Sequence, residues 1–353
     1  MRFAGQVIIV VLITFFLGEA ALRAYNHFYP SHIFYDDSYN QYRGKPHSEY
    51  LGFKLNSMGF LDEEFDSQRK NGYRIIVIGD SFVRGIVPYE FNWLTLLEPQ
   101  LNRANPQNPV EVLNMGIPRI GPVEYLPLLV REGLSLKPDM VVVGFFTGND
   151  YPGSKPEKRP LYSYSYIVTL LNYAIKINRK VETGIIQRGK VVYCDDCPTY
   201  DQPTFTKFEG ERSFVYVENN KYFLKLLDRA VDWLDMMKGI CEKKGIKFVV
   251  VILPDEIQVN ESLQAEIRSK YHPSLEDGKW KIDQPNLLLA ERLTALGIDT
   301  LDLYPYFVKE SARQNLYKPR DTHWNKAGNQ LAADILQGYI SKKINMGENS
   351  AKR

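Results

Sequence analysis

The sequence has few cysteines and almost no net charge. Its three cysteines cannot supply the two cysteine pairs of a structural zinc site, so no metal is expected. Lys plus Arg number 44 against 42 for Asp plus Glu, and so small an excess gives no reason to expect a nucleic-acid partner. Histidine is also scarce, with five copies, which narrows the search for a general base.

An apolar segment opens the chain. Val7 to Leu17 form an apolar stretch that continues to Leu22 and is interrupted by Glu19. Residues 1–25 are therefore predicted to be a membrane helix, acting either as an uncleaved anchor or as a signal segment that is removed. Both alternatives place the rest of the chain outside the cytoplasm, in the periplasm or the extracellular space. Residues 26–71, polar and aromatic without periodicity, are predicted to be a linker and wrapped extension.

Short apolar runs then alternate with amphipathic stretches. The five runs are residues 74–78, 110–113, 140–146, 247–253 and 300–303. Strands that alternate with helices pair in parallel with right-handed crossovers. The pattern therefore predicts an α/β fold, a three-layer α/β/α sandwich around a five-stranded parallel sheet of flavodoxin-like order. This domain is predicted over residues 72–345, followed by a tail at 346–353.

Residues 151–217 interrupt the alternation directly after the third strand. Because ligands bind at the carboxyl ends of parallel strands, this insertion is expected either to cover the site as a lid or wall, or to be a plain surface excursion. It contains Cys194 and Cys197, which an exported protein could join in a local disulfide. Cys241, on a predicted helix, is then expected to be a buried free thiol.

Ser81 is the candidate nucleophile. Ile75 to Ile78 predict a strand buried on both faces, and Gly79 allows the sharp turn that would present Ser81 at the strand's tip. The competing interpretation is that Asp80 or Ser81 only caps the following helix.

A serine hydroxyl needs a base, and His323 is the best candidate among the histidines. It lies just before the last amphipathic helix, with Asp321 two residues upstream to orient and polarise the imidazole. The alternative is a histidine stabilised near a helix start. Acyl transfer also needs donors for the oxyanion, and we predict the Ser81 N–H, the Gly116 N–H after the second strand and the Asn149 amide after the third.

These residues resemble the four blocks of the SGNH hydrolase superfamily, the GDSL esterases and lipases. Gly79-Asp80-Ser81 is similar to the nucleophile block, Gly116 to the glycine block, Asn149-Asp150 to the asparagine block, and Asp321 with His323 to the last block. One departure is that the family usually has Asp-x-x-His, whereas here Asp-Thr-His is followed by Trp324. That form is similar to the last block of cell-envelope sugar O-acetyltransferases in the exported bacterial part of the superfamily.

The resemblance implies a serine-dependent ester hydrolase that works through an acyl-serine without a cofactor. Its expected substrate is an acylated carbohydrate of the envelope or the extracellular space, with acetyl as the first candidate acyl group. Two alternatives remain open at this point. One is an O-acetyltransferase that uses the same site together with a membrane acyl-transfer partner, and the other is a non-catalytic glycan-binding module.

Overall fold

Residues 2–28, 39, 43–66, 68, 72–156, 161–182 and 192–351 are described by the computed structural model. The helices are α1 (Arg2–Phe28), α2 (Ser81–Arg84), α3 (Trp93–Ala104), α4 (Pro122–Arg131), α5 (Tyr166–Glu182), α6 (Gln202–Arg212), α7 (Lys221–Lys243), α8 (Glu256–Val259), α9 (Glu261–Tyr271), α10 (Gln284–Ala295), α11 (Tyr304–Ser311) and α12 (Lys326–Ala351). The strands are β1 (Glu49–Tyr50), β2 (Phe53–Lys54), β3 (Tyr73–Gly79), β4 (Val110–Gly116), β5 (Met140–Phe146), β6 (Lys247–Leu253) and β7 (Asp299–Asp302).

The main sheet is parallel throughout, in the order β4-β3-β5-β6-β7. Numbered along the chain from β3, this is the 2-1-3-4-5 order of flavodoxin-like sheets, as the sequence predicted. Gly79, at the end of β3, pairs with Gly116 of β4 and Gly144 of β5. The order of strands reverses around β3, so the segment that follows Gly79 lies at the switch point where such sheets bind ligands.

Both faces of the sheet are covered by helices. Ile75 and Val77 are buried in the cluster that α3 and α12 complete. Ile76 and Ile78 are equally buried and alternate with them, pointing to the opposite face, where α4, α7 and α10 pack. The unbroken apolar run of β3 is thus explained by burial on both sides, and the predicted three-layer α/β/α sandwich is confirmed.

The chain divides into two units, 1–43 with 157–190 and 44–156 with 191–353. The first contains α1 and α5, and the second contains the sheet. The predicted insertion is therefore split, because its middle groups with the N-terminal helix and residues 191–217 group with the sheet. Of the predicted extension, residues 29–38, 40–42, 67 and 69–71 lie outside the described residues.

Within the described residues, α1 is the one helix long and apolar enough to cross a membrane, over Phe3–Phe28. A membrane anchor and a signal sequence both satisfy that criterion of length and composition. At the other end of the chain, α12 continues through Ala351, so the predicted tail is helical over its described part.

Candidate active site

Ser81 begins the short helix α2 immediately after β3. Asp80 caps this helix, since its Oδ1 accepts a hydrogen bond from the Phe82 N–H at 2.9 Å. A Cβ on Gly79 would lie 2.8 Å from the Gly144 carbonyl oxygen, so only glycine lets the chain turn this close to the sheet. Asp80 is thus the capping residue, and the Ser81 side chain is not needed for the cap.

His323 connects Ser81 to Asp321. Its Nε2 lies 2.8 Å from Ser81 Oγ, and its Nδ1 lies 2.7 Å from Asp321 Oδ1. Burial by itself raises the pKa of the Asp321 carboxyl, but the hydrogen bond and charge interaction with His323 outweigh it and lower that pKa. Asp321 therefore stays ionised as the acceptor for the Nδ1 proton. The structure brings together the serine, histidine and acid that the sequence singled out.

The backbone explains how an acid only two residues before the histidine reaches its ring. Arg320 and Thr322 both have positive φ, at 51° and 80°, a left-handed conformation uncommon for residues with a side chain. These two reversals flank Asp321 and turn its carboxylate back toward His323 Nδ1. The segment is held in place by its surroundings, because the Tyr200 N–H donates to the Arg320 carbonyl at 3.2 Å and Thr199 Oγ1 donates to Asp321 Oδ2.

Asn149 also lies at this edge of the sheet. Asn149 Nδ2 donates one hydrogen to Asp80 Oδ2 at 3.0 Å, which fixes the amide beside Ser81. The second Nδ2 hydrogen is not used in this bond. Asp80 is fully buried, and burial raises its pKa although the bond from Asn149 opposes that shift. The neighbouring Asp150 is also buried and accepts from the Tyr125 hydroxyl at 2.9 Å, so it supports the turn.

Gly116 differs from the sequence-based expectation. Its N–H, predicted to face an oxyanion, donates instead to Asn114 Oδ1 at 3.0 Å. A Cβ at this position would collide with the backbone N of Arg84, in the turn that follows Ser81. The glycine is therefore explained by close packing under α2, a role that a motif match cannot distinguish from oxyanion binding.

Ser81 and His323 open onto a cavity of about 360 Å³. Its wall includes aromatic side chains that the sequence analysis did not single out, contributed by residues 191–217. Tyr200 and Phe208 are 41% and 43% exposed, and their rings meet edge to face at 5.2 Å. The last part of the insertion thus supplies part of the wall, which is one of the two arrangements the sequence left open.

A buried cluster of charges supports the His323 segment from behind. Arg212 Nε lies 3.1 Å from Asp255 Oδ2, and the same guanidinium bonds Glu209, whose carboxylate accepts from the Thr322 hydroxyl. Thr322 is in this way tied to α6. Burial, together with the charge of the nearby Glu209, raises the pKa of the adjacent Glu256 to about 8. One cation shared by three buried acids favours keeping one of those acids protonated.

Glu256→Gln should therefore stabilise the fold at high pH. The pKa of Glu256 is raised by folding from its ordinary 4.5 to about 8, so its contribution is complete below pH 4.5 and is lost as pH rises through 8. Gln mimics the protonated acid at every pH. We expect a melting temperature higher by roughly 5 °C at pH 9 and nearly unchanged at pH 5, measured by differential scanning fluorimetry. The exposed Glu276→Gln is the control, and an equal shift at both pH values would contradict the assignment.

A disulfide joins Cys194 and Cys197, and Cys241 is a buried free thiol, as the sequence suggested. The short loop between the bridged cysteines, here called the disulfide loop, holds the chain on both sides of His323. Lys318 Nζ donates to the Cys194 and Cys197 carbonyls at 2.6 and 3.1 Å, and the Lys326 N–H donates to Asp195 Oδ1 at 3.1 Å.

Opening the disulfide loop should slow turnover without unfolding the domain. A looser loop weakens the Thr199–Asp321 hydrogen bond, and a loss of about 1 kcal/mol corresponds to roughly a fivefold fall in kcat. We expect that fall when Cys194 and Cys197 are both replaced by Ser, assayed on a chromogenic acetyl ester, and when dithiothreitol is added to the wild type. Cys241→Ala should keep full activity and full sensitivity to the reductant. An unchanged kcat in the double variant would show that the loop does not position the acid.

Comparison with known proteins gives one family. Residues 226–353 match the family described as SGNH hydrolase-like domain, acetyltransferase AlgX. This segment includes β6, β7 and the His323 region, whereas Ser81 lies before it. No curated protein matches the chain.

Several solved structures are similar to this chain at low identity. An acetyl xylan esterase, AlAXEase, is 16% identical with a TM-score of 0.43, covering 76% of this chain and 99% of its own. A lipase/acylhydrolase from Enterococcus faecalis is 14% identical with a TM-score of 0.41, covering 77% and 96%. A catalytic mutant of an acetylxylan esterase from Geobacillus stearothermophilus is 13% identical with a TM-score of 0.41, covering 76% and 93%. Likenesses this distant carry no argument about substrate.

The family match and the site geometry meet at the same residues. The matched segment carries Asp321 and His323, and the flavodoxin-like sheet presents Ser81 to them from a strand outside that segment. The segment that matches this family description is therefore the one that brings Asp321 and His323 to Ser81.

Proposed function

We propose that the protein uses Ser81 as a nucleophile to remove acyl groups, acetyl first among them, from a carbohydrate of the cell envelope or the extracellular space. The hydrogen-bonded chain Ser81–His323–Asp321, at 2.8 and 2.7 Å, is the observation that carries this proposal. It opens on a cavity with exposed aromatic rings, which suit the apolar faces of sugar rings.

The reaction takes place in two halves. Ser81 Oγ attacks the ester carbonyl carbon while His323 Nε2 takes its proton, and the same proton passes to the leaving sugar oxygen as the C–O bond breaks. Water then attacks the acyl-serine with His323 as base, releasing the acid and restoring Ser81. Asp321 stabilises the imidazolium that forms in each half.

The negative oxygen formed in each half needs donors. The Ser81 N–H, at the start of α2, and the second N–H of Asn149 Nδ2 are the groups we assign to it. The Gly116 N–H is already bonded to Asn114, so we assign Gly116 to packing. No cofactor enters this scheme.

A second candidate is transfer of the acyl group to a sugar hydroxyl. It is favoured by the family match, whose description names an acetyltransferase, and by the Asp-x-His-Trp block at Trp324. Trp324 itself is 2% exposed and packs against Trp93 and Phe307, so it is a core residue and not a sugar platform. Transfer uses the same acyl-serine but differs from hydrolysis in both partners: a membrane acyl-transfer partner supplies the acyl group, and a sugar hydroxyl accepts it in place of water.

Product analysis distinguishes the two. The purified full-length protein is incubated with a chromogenic acetyl ester, with and without an oligosaccharide acceptor, and the products are separated by mass spectrometry. Free acetate alone supports hydrolysis, and acetylated oligosaccharide supports transfer. If neither product exceeds that made by Ser81→Ala, the proposed function is wrong.

We propose that α1 anchors the protein in a membrane and that the catalytic domain lies outside the cytoplasm. We expect the full-length protein to pellet with membranes, to resist carbonate extraction and to be digested by protease added to spheroplasts. A cytoplasmic control protein should survive that digestion. Recovery in the cytosol with an intact N-terminus would rule out this location, and a soluble exported form lacking residues 1–25 would show cleavage.

A further inference from the structure

Glu19 interrupts the apolar sequence of α1, and its partners all come from residues near the start of α5 or from α1 itself. Its carboxylate accepts from the Tyr166 N–H at 2.9 Å, the Ile167 N–H at 3.2 Å and Ser165 Oγ at 3.0 Å. Arg23, one turn further, bonds the same carboxylate at 2.6 Å and the Tyr164 carbonyl at 2.7 Å. An acid in an apolar helix thus caps the first turn of a second helix.

α1 has two different halves. Its later half packs on α5 through Gly18, Glu19, Leu22 and Asn26, which are all partly buried and lie on one face of the helix at spacings of three and four residues. At Gly18 a Cβ would already lie 3.2 Å from Ile167 Cδ1, so glycine allows the two helices to come close. Residues 3–17, in contrast, are exposed on every side within the described residues.

The position of Glu19 along α1 determines how deep in the bilayer the start of α5 lies. At 1.5 Å per residue, the sixteen steps from Phe3 to Glu19 span about 24 Å, while the hydrocarbon core is about 30 Å thick. With α1 across the bilayer from Phe3, Glu19 and the start of α5 lie roughly 6 Å inside the far boundary. Interfacial helices bury their apolar faces to about 5–10 Å, so the depth suits α5.

The exposed surface of the first half of α5 is apolar. Between residues 168 and 175, every exposed side chain is apolar: Val168, Leu170, Leu171, Ala174 and Ile175. Leu171 and Ile175 are 58% and 52% exposed. The polar members of this stretch, Thr169 and Asn172, are buried or partly buried. A face of this kind in water would be unusual for a surface helix, which exposes its polar side.

We propose that the first half of α5 lies in the lipid bilayer beside α1, with Val168, Leu171 and Ile175 against the acyl chains. The bilayer is the occupant we commit to, because this apolar face continues the exposed apolar surface of α1 and starts at the depth fixed by Glu19. The proposal depends on the membrane anchoring proposed above. It makes α1 and α5 a membrane unit of two helices joined through the partly buried carboxylate of Glu19.

Site-specific fluorescence tests this in the full-length protein. Leu171→Cys and, separately, Ile175→Cys are labelled with an NBD group and reconstituted as single copies in phosphatidylcholine nanodiscs. The wild type measures background labelling, because Cys241 is buried and the other cysteines are bridged. The exposed Ser274→Cys is the reference position on the sheet-containing unit.

We expect NBD at residues 171 and 175 to emit at shorter wavelength than at 274 and to be quenched by doxyl-labelled lipid more than threefold more strongly. Quenching by aqueous iodide should follow the opposite order. Equal iodide quenching at all three positions, or a blue shift without lipid quenching, overturns the proposal, the latter indicating a protein neighbour. Protein that is not retained by the discs overturns it together with the anchoring. Ester hydrolysis is not a readout, so failure of the proposed chemistry leaves the result unaffected.

Discussion

Ser81→Ala is expected to lower kcat on a small acetyl ester by more than a thousandfold while the protein remains folded. The variant removes the oxygen that His323 Nε2 faces at 2.8 Å, and loss of a triad nucleophile commonly costs more than that factor. Because Asp80, and not Ser81, caps α2, the helix start keeps its side-chain hydrogen bond.

The measurement is steady-state hydrolysis with the circular dichroism spectrum as the check on folding. Ser274→Ala, a change at an exposed serine, is the matched control and should behave as wild type. Residual activity above a thousandth of wild type would sink the assignment of Ser81 as nucleophile.

Asp321→Asn is expected to lower kcat by roughly three to four orders of magnitude. The amide nitrogen of Asn can donate to His323 Nδ1, which favours the tautomer that cannot accept the proton of Ser81. The geometry at 2.7 Å and the Thr199 hydrogen bond should otherwise be retained, so the fold should not change. The same ester assay measures the effect.

Arg320→Ala is the control, with kcat expected within about twofold of wild type, since a cation cannot accept the imidazole proton. Asp302, the last residue of β7, is not an alternative acid for His323, because its carboxylate accepts from Asn286 Nδ2 at 2.7 Å and from the Tyr304 N–H at 3.0 Å. If Asp321→Asn keeps more than a tenth of wild-type kcat, His323 is oriented by another group, such as the Asp321 carbonyl 3.2 Å from Nδ1.

The sequence predicted the sheet well because burial on both faces leaves an unmistakable pattern. Successive side chains of a strand point to opposite faces, so four consecutive apolar residues at 75–78 indicate a covering layer on each face of the sheet. The regular alternation with helices then limits the strand order to few possibilities. The same reasoning placed Ser81 at the carboxyl edge of the sheet, whereas its pairing with His323 and Asp321 was predicted from the need of a serine hydroxyl for a base and from the resemblance to a known family.

What the sequence did not give depends on contacts between distant segments. Nothing in the local sequence marks Thr199 as the donor to Asp321, and Thr322 has a positive φ although it is not a glycine. Gly116 matched a motif, yet its N–H is taken by a side chain two residues earlier. Glu19 interrupts an apolar helix in the sequence, and only its hydrogen bonds to residues near the start of α5 explain it.

The distance along the chain between the two halves of the site bears on when activity can arise. Ser81 and His323 are 242 residues apart, and α12, which follows the histidine, packs on α3, with Asn329 Oδ1 accepting from the Trp93 N–H at 3.1 Å. Contacts between such distant segments close late in folding. During synthesis from the N-terminus, Ser81 is therefore made 242 residues before His323. In the proposed mechanism, Ser81 therefore has no base to activate it until the segment that carries His323 has been made and α12 packs on α3.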